Sequence, residues 1–102
     1  MSRRLKLQEK LEELLESRNV YYQPPESKKI DYPAIRYNKQ SSDKRAADDA
    51  AYTLIDCYEL IVINKLPNDE LVNKLLLNFA MISYDRHYES DGLNHDVLTL
   101  YY

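Results

Sequence analysis

The sequence predicts an α+β domain in which a mainly antiparallel sheet of about four to five strands carries two helices packed on it. Three observations predict this. Two segments place apolar residues at helical spacing, a long β-rich run lies between them, and an Asp91-Gly92 pair joins two further β-type segments. At 102 residues one core is expected, burying roughly 60–70% of the unfolded surface.

From about Arg3 to Arg18, Leu7, Leu11, Leu14 and Leu15 recur at spacings of four, three and one, with Lys10, Glu12, Glu13 and Glu16 mostly opposite. This is an amphipathic helix, with Asn19 expected to close it. Val20-Tyr21-Tyr22 reads as a short strand that ends where Pro24-Pro25 removes backbone donors. Tyr32-Pro33 leads into a second strand from Ala34 to Tyr37. The stretch from Asn38 to about Ala51 then turns polar, with Lys39, Asp43, Lys44, Arg45, Asp48 and Asp49. It is expected as a long loop, and a loop of that length in a compact domain is usually functional or mobile.

Tyr52 to Asn64 contains Ile55, Cys57, Tyr58 and Leu60 through Ile63, apolar on both faces toward its end, which marks a central strand. Pro67-Asn68-Asp69-Glu70 starts the second helix and sets two acids at the positive end of its dipole. Leu71, Val72, Leu75, Leu76 and Phe79 form its buried stripe. The last two strands form a hairpin through Asp91-Gly92, and the chain's single glycine falls where a tight turn needs positive φ.

Composition narrows the function. A formal net charge of −3 and a pI near 5.3 argue against a dedicated nucleic-acid binder, which carries a basic patch on a basic background. Cys57 stands alone, so it forms neither an internal disulfide nor a cysteine-rich zinc site and reads as a small buried hydrophobe. No apolar run approaches the ~20 residues of a membrane span, and the charged N-terminus is unlike a signal peptide, so no membrane association and a cytoplasmic setting are expected. The ten tyrosines, against one Phe and no Trp, suit surfaces solvated in one state and buried in another. They suit strand faces equally well.

Two groups of residues are candidates for a site. If Asp91 and Gly92 are the turn, Ser90 pairs with Leu93, Tyr88 with His95 and His87 with Asp96. Alternation then puts Asp85, His87 and Asp96 on one face. Two carboxylates and an imidazole could bind a divalent metal or move protons. The plainer reading is a cross-strand polar pair on a solvated face, because no third histidine, catalytic serine motif or Gly-rich phosphate loop extends the site. Asp85, His87, His95 and Asp96 are therefore expected to be structural, with no catalytic residue, metal or cofactor. The second group is Lys39, Asp43, Lys44, Arg45, Asp48 and Asp49, whose setting suits an arm that orders against a neighbouring subunit.

Several segments carry a resemblance: Tyr22-Gln23-Pro24-Pro25, Tyr32-Pro33-Ala34-Ile35, Ala51-Tyr52 leading into Tyr58-Glu59-Leu60-Ile61-Val62-Ile63, and Tyr84-Asp85-Arg86-His87-Tyr88 through Asp91-Gly92-Leu93-Asn94-His95-Asp96. In this order, over nearly the whole chain, they resemble the small tail-completion, or tail terminator, proteins of siphophages of Gram-positive hosts, similar in role to the tail terminator of phage lambda. Gly92 stands where that family usually has Asn, and Asn64-Lys65 where it tends to carry an Asp-containing turn. The resemblance implies a non-enzymatic homo-oligomer, a hexameric ring in the virion neck, assembled in the host cytoplasm. Such a ring caps the major tail-tube protein and meets the capsid connector or stopper proteins, with DNA passing through its lumen without specific binding. Ring closure requires head-to-tail contacts between unlike surfaces. Two alternatives stand beside it: another neck component such as an adaptor or stopper, and a small metal-dependent hydrolase or nuclease using Asp85, His87, His95 and Asp96.

Overall fold

The computed structural model describes residues 2–46 and 52–102. Helix α1 (Arg3–Leu15) is shorter than its periodic pattern. Ser2 caps its start, the hydroxyl accepting from the Leu5 amide at 3.2 Å. Glu16, not Asn19, ends it: its φ of 59° reverses the chain, and the Glu16 and Ser17 amides bond the carbonyls of Glu13 and Glu12. Carbonyls that the last turn would leave without donors are satisfied this way.

Strands β1 (Val20–Tyr22), β2 (Ala34–Ala46) and β3 (Tyr52–Asn64) follow, then helix α2 (Asp69–Asn78) and the hairpin of β4 (Ile82–Ser90) and β5 (Leu93–Tyr101). They form one five-stranded sheet in the order β1-β2-β3-β5-β4. The fold is the α+β arrangement expected, with a mostly antiparallel sheet in which β1 alone among the described strands runs parallel to its neighbour, β2.

Both helices lie on one face. Leu7 and Leu11 from α1 and Val72 and Leu75 from α2 close over Ile35, Tyr37, Tyr58, Leu60, Val62, Leu98 and Leu100. On β3 the residues facing the helices are Tyr58, Leu60 and Val62, yet Cys57 and Ile63 on the opposite face are also buried, as a central strand requires. Each fully buried leucine contributes about 1.5–3 kcal/mol relative to exposure. The helices also hold one another by their ends. Lys10 Nζ donates to the Asn78 carbonyl at 2.8 Å and lies 4.4 Å from the Phe79 ring centre, while Lys74 Nζ donates to the Leu14 carbonyl at 2.9 Å. Each lysine thus meets the negative end of the other helix's dipole.

The molecule is elongated, 51 × 27 × 22 Å, with a radius of gyration of 14.5 Å where about 13 Å is usual for 100 residues. The excess comes from β2 and β3. β1 accompanies β2 only at Ile35 to Tyr37, and β5 accompanies β3 only from Cys57 to Asn64. Beyond these limits, among the described residues, the two strands pair only with each other as a ribbon, about 17 Å long for the five residues 42–46 of β2. Among the described residues no helix is long and apolar enough to cross a membrane.

Candidate functional site

The ribbon corrects the largest sequence expectation. The polar stretch after Asn38 is not a loop: β2 continues to Ala46, and Asp43, Lys44 and Arg45 pair in register with Ile55, Leu54 and Thr53. Asp48 and Asp49 lie outside the described residues. Serine, lysine and aspartate are poor strand formers in isolation, but β-propensity yields to context, and here the context is the strong strand β3 alongside. A sequence signal was present. No proline or glycine occurs between Pro33 and Pro67, and a nine-residue hairpin strand cannot pair the whole of a thirteen-residue β3.

At the base of the ribbon sits Asp56. Its carboxylate accepts hydrogen bonds from the Ser42 hydroxyl and from the Tyr58 hydroxyl, the latter at 3.3 Å, and lies 3.7 Å from Lys39 Nζ. The Ser42 bond, more than the Lys39 charge, holds this carboxyl below the usual aspartate range, against a smaller opposing effect of burial. Burial first, and the Asp56 charge second, push Tyr58 up to about 12. Tyr58 also belongs to a three-ring cluster with Tyr22 and Tyr37, centroids 4.9 to 6.5 Å apart. Tyr37 donates to Gln8 Oε1 at 2.6 Å and accepts from Arg4, whose guanidinium lies 4.6 Å from the Tyr22 ring centre. α1 is thereby tied to the foot of the ribbon. The tyrosines thus divide: Tyr37 and Tyr58 are buried, while Tyr32, Tyr84, Tyr88 and Tyr101 stay exposed.

The hairpin keeps the expected register. Ser90 faces Leu93, Tyr88 faces His95 and His87 faces Asp96. The expected common face fails at Asp85, because the register shifts between Tyr84 and Arg86. The extra residue turns Asp85 to the side away from the helices, where it accepts from the Thr99 hydroxyl at 2.6 Å. His87 and Asp96 share a face, but their side chains bond elsewhere: His87 Nε2 to Asn94 Oδ1 at 3.0 Å, Asp96 to Tyr84 and Asn68. His95 points the other way, stacked on Tyr88 with centroids 4.6 Å apart and planes 11° apart.

Asp96 is the buried acid of this group, 7% exposed. Tyr84 donates to its Oδ1 at 2.7 Å and Asn68 Nδ2 to its Oδ2 at 3.1 Å. The bond to Asp96 is the main reason the Tyr84 phenol rises to about 12. Asn68 occupies the N-cap position of α2 without capping it through its side chain; the amide instead also reaches the Val62 carbonyl at 3.3 Å. A shallow pocket of about 350 Å³ opens over Asn68, Asp69, Tyr84, His87, Asn94 and Asp96. Sequence reading missed Asn68, Tyr84 and Asn94, since a buried asparagine and a cap asparagine look alike in a linear pattern. Among the described residues no three His, Cys, Asp or Glu side chains are placed to hold a metal ion.

No protein-family model matches the chain, and no curated protein gives a significant match.

Proposed function

We propose that the chain is a structural subunit that assembles through its β2–β3 ribbon, and that the assembly is the ring that terminates a phage tail tube and joins it to the capsid connector. The observation that carries this reading is the ribbon itself. Two strands of thirteen residues each continue past the helix-backed sheet, with a solvent-facing Leu54, 53% exposed, and, among the described residues, with no further strand along either outer edge. An isolated two-stranded hairpin is marginal in water, and ordering each residue costs about 1–2 kcal/mol. A neighbouring surface offsets that cost. The identity of the assembly draws on the segments that resemble the tail-completion family, the hairpin from Tyr84 to Asp96 above all. A non-enzymatic role fits the hairpin group, where Asp96 is committed to two donors and Asp85 is turned to the other face.

The test is to replace residues 43–55 with a two-residue Asn-Gly turn, closing the hairpin between the paired Ser42 and Asp56. This variant is expected to stay folded and to lose binding to purified tail tubes, with the parent forming a ring on them visible by electron microscopy. Retention of binding and of infectious particles by the trimmed variant would remove the ribbon from the assembly. Failure of the parent itself to bind tail tubes would remove the phage assignment.

A further inference from the structure

Asp56 occupies the point where the sheet gives way to the two-stranded ribbon. Its amide donates to the Tyr102 carbonyl at 3.3 Å and its carbonyl accepts from the Tyr102 amide at 2.9 Å, while Ser42 faces it on the other side. From Ile55 outward, among the described residues, β3 pairs with β2 alone. Almost opposite, the register of β2 shifts between Lys39 and Ser41, leaving Gln40 as the bulged residue. A bulge is where an antiparallel pair bends and twists more strongly. It is therefore the natural flexing point of the ribbon.

The Asp56 carboxylate spans that point. It accepts from Ser42 on the outer side of the bulge and lies 3.7 Å from Lys39 Nζ on the inner side. It is also held by the hydroxyl of Tyr58, which is 1% exposed and fixed in the core. The Asp56 side chain is 14% exposed, while Ser42 and Lys39 reach it from the solvent side. We propose that Asp56 is the positioning residue that fixes the direction in which the ribbon leaves the sheet, by clamping both sides of the Gln40 bulge to one buried ring. Asparagine is the same size but carries no charge, so Asp56→Asn weakens all three contacts without opening a cavity. The clamp operates in the isolated chain, independent of what the ribbon touches.

The experiment attaches nitroxide labels at Leu54→Cys on the ribbon and Leu77→Cys on α2, both exposed, in a Cys57→Ser background. The distance between them is measured by pulsed electron resonance. The expected result is one narrow distance distribution, broadened by Asp56→Asn and equally by Ser42→Ala combined with Lys39→Met. Ribbon amides then exchange roughly tenfold faster, as loss of a charge-assisted hydrogen bond implies, with β5 amides unchanged. The double variant decides the matter if Asp56→Asn fails to fold. A distribution of unchanged width in a folded variant, even one with a lowered melting temperature, would show that Asp56 contributes stability only and would overturn the proposal.

Discussion

Replacing Asp96 with alanine tests whether the buried acid of the hairpin is structural. The substitution removes the acceptor for two donors that differ in what happens next. Tyr84 is 40% exposed, so its hydroxyl recovers a bond to water at little cost. Asn68 is 5% exposed and keeps only the 3.3 Å bond to the Val62 carbonyl, leaving a buried donor unsatisfied. Hydrogen bonds to charged groups contribute about 1.5–3 kcal/mol each; after the relief of desolvating a carboxylate is set against that, a net loss of about 2 kcal/mol is expected. For a domain of this size the melting temperature should drop by about 8–16 °C. Calorimetry reads the loss, and the Tyr84 ring carbon shift, followed by NMR against pH, should show its ionisation moving down from about 12 toward the ordinary ~10. A variant as stable as the parent, with Tyr84 titrating unchanged, would refute the assignment of Asp96 as the centre of this group.

Gly92→Val should cost about 1–3 kcal/mol: φ is +74°, but an added Cβ meets nothing within 4 Å, so the penalty is one of backbone alone. Gly92→Asn, which tolerates that region, should sit close to the parent by chemical denaturation. The raised phenols predict an alkaline limit. Tyr58 and Tyr84 are held neutral up to about 12, whereas an unfolded tyrosine ionises near ~10. Their contribution is therefore complete below about pH 10 and is lost as pH climbs toward 12; Tyr58→Phe should flatten that fall in urea melts taken across the range. Lys74→Met should lower stability by about 1 kcal/mol through loss of its bond to the Leu14 carbonyl, and a larger effect in high salt than in low salt would contradict a dipole origin.

What could be read in the sequence is what one segment dictates by itself. The leucine stripe of α1, the apolar run of β3 and the Asp91-Gly92 turn each contain their own signal, and the register of Tyr88 and His87 followed by counting from the turn. What was hidden depends on a partner. β2 is a strand beyond Asn38 because β3 lies beside it, not because Ser41, Ser42 and Lys44 favour strands. β1 pairs parallel with β2 although eleven residues without helix or strand separate them. The shift that moves Asp85 off the face of His87 leaves no mark in the pattern, since alternation assumes an unbroken ladder. At Asn68 the sequence suggested a helix start, which is correct, but not that its amide would turn inward to Asp96.

The central place of β3 also governs how the molecule would respond to force. The strand that forms one side of the ribbon is the same strand that lies between β2 and β5 in the sheet. Tension applied at the far end of the ribbon therefore runs along the axis of β3, parallel to its ladders and at right angles to their hydrogen bonds. The eight paired positions between β3 and β5, Cys57 through Asn64, share such a load in shear and must yield together. A pull across the free edge of β4 would instead open its pairs with β5 one after another, from Ser90 or from Ile82. Resistance to forced unfolding is set by the barrier rather than by equilibrium stability. A load that enters through the ribbon and leaves through β5 therefore meets the shearing arrangement and not the peeling one.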